Sequence, residues 1–215
     1  MEETEKYVKK GTTTIGICCK DGIILSADKR AVLGLTLIGS KNVDKIFKVT
    51  DNMAITMAGT VSDAQLVTKL LKAELNLKRI RTEKEPTVKE AANLLGTVVY
   101  HNIRKLSPII AITGFLLGGK DNKGFYLYEI GPDGSVLKYD DYITDGSGMV
   151  TAFGVLDLLW KKDMPIAEGV KLGVRVINAA MQRDTATGEG IDVFTITKEG
   201  VKKVLTKKLD LKITV

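Results

Sequence analysis

Residues 11–30 read GTTTIGICCKDGIILSADKR, and this stretch decides how the chain begins to fold. Ile15, Ile17 and Cys19 alternate with small or polar residues, the period of a half-buried strand. Asp21 and Gly22 then form a two-residue hairpin turn into the apolar run 23–27. Two antiparallel strands therefore open the domain. Cys18 and Cys19 are neighbours on the first of them, so they point to opposite faces and cannot pair with each other. Ahead of the strands stands MEETEKYVKKG, residues 1–11, which is charged and lacks the apolar middle of a secretory signal. Its Glu2, Glu3 and Glu5 balance Lys6, Lys9 and Lys10, so removing it leaves the formal charge of +6 unchanged.

Outward from the hairpin, strand-like runs cover 35–38, 46–49 and 53–58. The period then changes. Ala64, Val67, Leu70, Leu71 and Leu75 recur at helical spacing, with Ser62 or Asp63 as the cap. Thr87 and Glu90 form a T-x-x-E capping box for a second helix, whose apolar face is Val88, Ala91, Leu94, Leu95, Val98 and Val99. Strands return at 109–117, 125–130 and 136–139, with turn residues at Asn122, Gly124 and Pro132-Asp133-Gly134. Helices follow over 149–160 and 165–183, the second opening on Pro165, and the chain closes with strands 191–197 and 201–205. Strands, two helices, strands, two helices, strands, with hairpins between consecutive strands, is an α+β order. A four-layer αββα sandwich, two antiparallel sheets flanked by helix pairs, buries every apolar face in that series.

A chain of 215 residues with 44% hydrophobic and 27% charged content is one globular domain. At this size folding buries roughly 70% of the unfolded chain's surface, so no disulfide or metal is required. Lys and Arg are interspersed with Asp and Glu, and aromatics are only 6%, which argues against a nucleic-acid partner. No apolar run approaches the roughly 20 residues of a membrane span. The unpaired cysteines suit a reducing cytoplasm, and two cysteines with one histidine are too few for a metal site or metal cofactor.

His101 lies on the second helix beside Tyr100 and Asn102, where a hydrogen-bonded or solvated histidine is the ordinary reading. Gly118-Gly119 has no Lys-Ser/Thr after it, which removes a phosphate cradle. What remains is Gly11-Thr12-Thr13-Thr14 at the junction of leader and first strand. Taken alone, three threonines read as a β-branched strand start.

Other segments change that reading: Ser26-Ala27-Asp28-Lys29-Arg30, Asp44-Lys45-Ile46-Phe47, Met57-Ala58-Gly59 leading to Asp63-Ala64-Gln65, Gly146-Ser147-Gly148, and Gln182-Arg183-Asp184 through Gly188 to Ile191-Asp192. In this order, with GTTTIG ahead of them, they resemble a proteasome β subunit of the archaeal type, among the N-terminal-nucleophile hydrolases. The likeness runs from Thr12 to the C-terminus.

The resemblance implies a threonine peptidase needing no cofactor. Residues 1–11 would be a propeptide removed by self-cleavage of the Gly11-Thr12 bond, leaving a single peptidase domain over 12–215. The chemistry is coherent. A threonine hydroxyl needs a base, and a free α-amine has a pKa of roughly 7.7–8.0, so processing creates one where an amide stood. By resemblance Lys45 lies beside the Thr12 hydroxyl and Asp28 holds Lys45. The Gly59 N–H stabilises the oxyanion, while Ser147 and Asp184 bond near the Thr12 amine. Thr187 stands where many members have serine, and the spacing from Asp28 to Lys45 is one residue longer than usual, which places an extra residue around 39–42. The first substrate pocket would be lined by Ala31, Val43, Met57 and Val61, implying a chymotrypsin-like preference for large apolar residues.

The resemblance further implies a heptameric ring of β subunits, stacked against α-subunit rings and fed unfolded polypeptides by a regulatory ATPase. Two alternatives stay open: a structural subunit that keeps its leader, and another N-terminal-nucleophile amidase.

Overall fold

The computed structural model describes residues 9–34, 37–107 and 111–209. In chain order the strands are β1 (Lys9–Lys10), β2 (Thr13–Cys19), β3 (Gly22–Asp28), β4 (Ala31–Leu33), β5 (Leu37–Ser40), β6 (Ile46–Thr50), β7 (Met53–Thr56) and β8 (Ala58–Gly59). Helices α1 (Val61–Thr82) and α2 (Val88–Ile103) follow, then β9 (Thr113–Asp121), β10 (Gly124–Ile130), β11 (Val136–Tyr139) and β12 (Tyr142–Gly146). The chain ends with α3 (Met149–Leu159), α4 (Ile166–Arg183), β13 (Gly190–Thr197) and β14 (Gly200–Lys208).

One sheet has the order β12-β2-β3-β13-β14 and the other β11-β10-β9-β7-β6, with β8 also on β9. Alternation along the strands sends each side chain to one of three layers. Ile15, Ile17 and Ile24 pack on α3 and α4 with Ala152, Leu156, Leu172 and Val176. Ile23, Leu25 and Ala27 face the other way, meeting Ala54, Leu116 and Leu127 between the sheets. Met53, Ile55, Phe115 and Leu117 meet Val67, Leu71, Leu95 and Val99 of α1 and α2. β3 is therefore buried on both faces, and the four-layer αββα sandwich is what the chain forms. Each fully buried Ile or Leu contributes about 1.5–3 kcal/mol, so these interlayer cores dominate stability.

The hairpin at Asp21-Gly22, the Thr87–Glu90 capping box and the four helices lie where the sequence puts them. Cys18 joins the layer between the sheets and Cys19 the helix layer, and burial pushes both thiols up to about 12. Several expectations are corrected. α1 begins at Val61 with Thr60, in extended geometry, as N-cap; Asp63 instead accepts from Asn102 Nδ2 (3.0 Å) and so ties α1 to α2. Pro165 is the N-cap of α4 instead of its first helical residue. The run 53–58 is two strands, broken at Met57, whose amide donates to Lys45 O (2.9 Å). Gly118 and Gly119 sit inside β9, which continues to Asp121. Residues 35–36 and 109–110 of the expected strands lie outside the described residues; β5 covers Leu37–Ser40, while 111–112 are not strand, so β9 starts later than expected, at Thr113.

Three strands carry no sequence signal. β1, from the leader, pairs antiparallel with β4, and β5 completes this small third sheet. β12, with polar Thr144 and Asp145, is held by pairing with β2. In β4–β5 the register passes from Val32↔Ile38 to Ala31↔Ser40, leaving Gly39 as a bulge.

No helix among the described residues is long and apolar enough to cross a membrane. His101 is exposed in the last turn of α2, edge-on to the Tyr100 ring.

Candidate active site

Element ends converge on one end of the sandwich. Thr12 precedes β2, Asp28 ends β3, Lys45 precedes β6, Ser147 follows β12 and Asp184 caps the C-terminus of α4. Asp28 is 1% exposed and Lys45 2%, so neither charge is explained by solvation. Lys45 Nζ donates to Asp28 Oδ1 at 2.7 Å. Three backbone amides also donate to Asp28: Thr13 to Oδ1 (3.0 Å), and Arg30 (3.0 Å) and Gly188 (2.9 Å) to Oδ2. Four donors match the lone-pair capacity of one carboxylate, which fixes it rigidly. Burial pulls the Lys45 pKa below the ordinary lysine value, although Asp28 opposes the shift.

Lys45 Nζ donates a second bond, to the carbonyl oxygen of Gly11 at 2.9 Å. The Thr12 hydroxyl donates to that same oxygen at 2.5 Å. The Gly11-Thr12 peptide is thus held by the ammonium and the hydroxyl together. Gly11 has φ +91°, and a Cβ there would stand 2.7 Å from Ala186 Cβ and 2.9 Å from Val32 Cγ2. Only glycine fits that backbone in that space.

Across Thr12, Ser147 Oγ accepts from the Thr12 amide (3.4 Å) and donates to Asp184 Oδ2 (2.6 Å). Thr187 Oγ1 donates to the same carboxylate oxygen at 2.5 Å. Its one proton is then spent, so at 2.6 Å it accepts from Thr13 Oγ1. A chain of hydroxyls and one carboxylate runs Thr13, Thr187, Asp184, Ser147, ending at the Thr12 amide.

The sequence model described as "Proteasome subunit" matches residues 8–196. A proteasome subunit beta of Ferroglobus placidus is 41% identical over 203 residues, 94% of each chain. One from Archaeoglobus fulgidus is 41% identical over 199 residues, 93% of this chain and 91% of its own. "Proteasome subunit beta 2" of Pyrococcus furiosus is 42% identical over 201 residues, 94% of each. This chain belongs to the proteasome subunit family.

For a proteasome subunit, six residues singled out in the sequence, Thr12, Asp28, Lys45, Ser147, Asp184 and Thr187, lie in two bonded groups around Thr12. Gly59 is less closely joined. It ends β8 with φ +102°, where a Cβ would stand 2.1 Å from Ile112 O, so the position demands glycine. Among the described hydrogen bonds, its amide does not reach the Gly11 carbonyl. Met57 is buried, and half-buried Val43 and Val61 pack against its apolar cluster. Ala31 is buried at the start of β4 but belongs to none of the core clusters.

The sequence reading missed Thr13, whose hydroxyl extends the Asp184 chain and whose amide holds Asp28. Strand alternation turns Thr13 away from Thr14, but it does not give Thr13 a partner. It also missed Arg30, which bonds Glu189 (3.0 Å) and Thr185 O (2.8 Å) and so braces the loop carrying Thr187. A cleft of about 800 Å³ bordered by Lys78, Glu85, Thr87 and Lys120 includes none of the predicted site residues. No group of three or more metal-ligating side chains occurs among the described residues.

Proposed function

We propose that this chain is the precursor of a threonine endopeptidase that cuts itself between Gly11 and Thr12. The observation that carries the reading is the Gly11 carbonyl oxygen shared by Lys45 Nζ and the Thr12 hydroxyl. In the precursor the nitrogen of Thr12 is an amide, so the hydroxyl proton needs another acceptor. Lys45, its grip on its own proton loosened by burial, is the amine at hand once deprotonated. Thr12 Oγ1 attacks the Gly11 carbonyl carbon and Lys45 takes the proton. The C–N bond then breaks, the proton passes to the Thr12 nitrogen, and an ester joins Gly11 to the threonine oxygen. Water hydrolyses that ester, releasing residues 1–11 with a free carboxylate and leaving Thr12 with both hydroxyl and amine.

In the processed chain, 12–215, the new amine has a pKa of roughly 7.7–8.0 and serves as base for substrate hydrolysis. Ser147 and Asp184, beside the Thr12 nitrogen, orient it; Thr187 keeps the hydroxyl that serine supplies elsewhere. Gly59 offers its amide to the oxyanion after the Gly11 carbonyl has left. Met57, Val43, Val61 and Ala31 line the first substrate pocket, which favours cleavage after large apolar residues. The working particle is a cytoplasmic stack of heptameric β rings and α rings, supplied with unfolded polypeptide through a regulatory ATPase.

An intact-mass measurement of the assembled particle tests the reading: the chain begins at Thr12, and Thr12→Ala both retains the leader and abolishes peptide cleavage. Persistent cleavage by that variant overturns it. The second reading, a ring subunit without activity, draws on the pairing of Lys9 and Lys10 with Leu33 and Val32, which seats the leader. A retained Met1–Gly11 in the wild-type particle would establish it.

A further inference from the structure

Beside Asp28–Lys45 the same two segments form a second ion pair with the signs exchanged. Lys29 Nζ donates to Asp44 Oδ1 (3.1 Å) and to Asp192 Oδ2 (2.6 Å). Lys29 is 1% exposed and Asp192 1%, so this is a buried ammonium and not a surface pair. The other Asp192 oxygen accepts from Thr206 Oγ1 at 2.7 Å, and Lys203 Nζ stands 3.6 Å from it. Burial works against the Lys29 charge, but Asp192 and Asp44 outweigh it and hold its pKa above the ordinary value.

The segment that carries Lys45 has no strand of its own between Ser40 and Ile46. Its polar ties to the sheets include the Val43 amide to Lys29 O (3.0 Å), the Met57 amide to Lys45 O (2.9 Å), the Lys45–Asp28 bond (2.7 Å), the Lys29–Asp44 pair (3.1 Å) and a longer approach of Lys203 on β14 to Asp44 (3.8 Å). Two of these run to Lys29, including the shorter of the two cation contacts to Asp44. Lys45 ends a four-carbon stem, so placing its ammonium against both Asp28 and Gly11 requires a fixed backbone. An error of about 1 Å in such a group costs on the order of 10²-fold in rate.

We infer that Lys29, gripping Asp44 on one side and Asp192 on the other, is a positioning residue for Lys45. Resting on the reading of Lys45 as the proton acceptor in processing, it assigns the buried Lys29–Asp192 pair a role in reactivity. The sheet strand β13 is the anchor, Asp192 the peg, Lys29 the arm and Asp44 the point held.

The test separates this role from plain stability and from the function itself. In the full chain carrying Thr12→Ala, which keeps its leader, the Lys45 ammonium is titrated by NMR. Asp44→Asn, at a carboxylate 61% exposed, leaves the fold intact. Lys29→Met combined with Asp192→Asn removes one charge of each sign, so its effect reads geometry and not net charge. In both, a looser Asp28–Lys45 contact lowers the Lys45 pKa further. With Thr12 restored, processing slows tenfold or more and its pH midpoint moves down, while Asp44→Glu recovers both. An unchanged Lys45 titration in these variants overturns the positioning role, even if the melting temperature falls. A parent chain that folds yet never processes overturns the peptidase reading instead, and leaves the titration to decide this one.

Discussion

Lys45 Nζ lies 2.9 Å from the carbonyl oxygen of Gly11, the residue that precedes the candidate nucleophile. In the proposed mechanism, an amine so placed acts on the leader peptide before any substrate arrives. Replacing the nucleophile isolates that chemistry. Thr12→Ala lowers processing and peptide hydrolysis by about 10⁴-fold or more, the scale seen when a nucleophile is removed from a hydrolase. Thr12→Ser, which keeps the hydroxyl, stays within about tenfold by the same measure. Intact mass and a fluorogenic peptide assay on the purified particle report both.

Gly11→Ala gives a different pattern. Its Cβ would meet Ala186 and Val32 at positive φ, so the Gly11 carbonyl moves off Lys45 and Thr12. Processing slows by about 10²-fold, as for a roughly 1 Å displacement of a reacting group. Chain that does process has lost residue 11 and shows wild-type peptidase activity. A processed Gly11→Ala enzyme with impaired turnover contradicts the placement.

Under the proposed self-cleavage, the lowered pKa of Lys45 would set the pH dependence of processing. As acceptor of the Thr12 proton, Lys45 must be neutral, so the rate rises with pH and levels off at a midpoint below the free-lysine value of 10.5. Stability shifts the same way. Because the unfolded chain binds this proton more tightly than the folded one, the Lys45 contribution grows as pH rises from the folded pKa to 10.5. Single-turnover processing followed by gel between neutral and alkaline pH locates the midpoint. A rate that falls with pH over this interval excludes Lys45 as acceptor.

Glu90 tests the fold apart from the chemistry. It closes the capping box with Thr87 and pairs with Lys78, and these partners, Lys78 first, hold its carboxyl down to about 2 against an ordinary 4.5. Its contribution is present above pH 4.5 and is lost as pH falls toward about 2. Glu90→Gln therefore destabilises by about 0.5–1 kcal/mol at neutral pH and by less in acid. Melting curves of both chains at the two extremes should converge at the acid end.

Much of the architecture was legible because it rests on periodic apolar residues. Ile15, Ile17, Ile23 and Leu25 alternate, Val88 to Val99 repeats at helical spacing, and each period names its element. β12 escaped notice because Thr144 and Asp145 have no apolar alternation; pairing with β2 makes it a strand. β4 is three residues long, and β1 lies in a charged leader whose only strand credential is its partner. The site was legible as a set of motifs, yet no motif places Gly59 or gives Thr13 a task.

By itself the sequence determined the order of strands and helices, the layers their apolar faces must form, the membership in the proteasome subunit family, and Thr12 as the residue to examine. Tertiary structure alone decided that Asp28 collects four donors, that Thr13 reaches Thr187 across 174 residues of chain, and that Lys29 is anchored on Asp192 across 163. The physical reason is range. Periodicity reports which face of an element is buried, a property of neighbouring residues. The partner of a buried Lys or Thr depends on the register of strands far apart in sequence, and polar side chains at strand ends carry no period from which to read it.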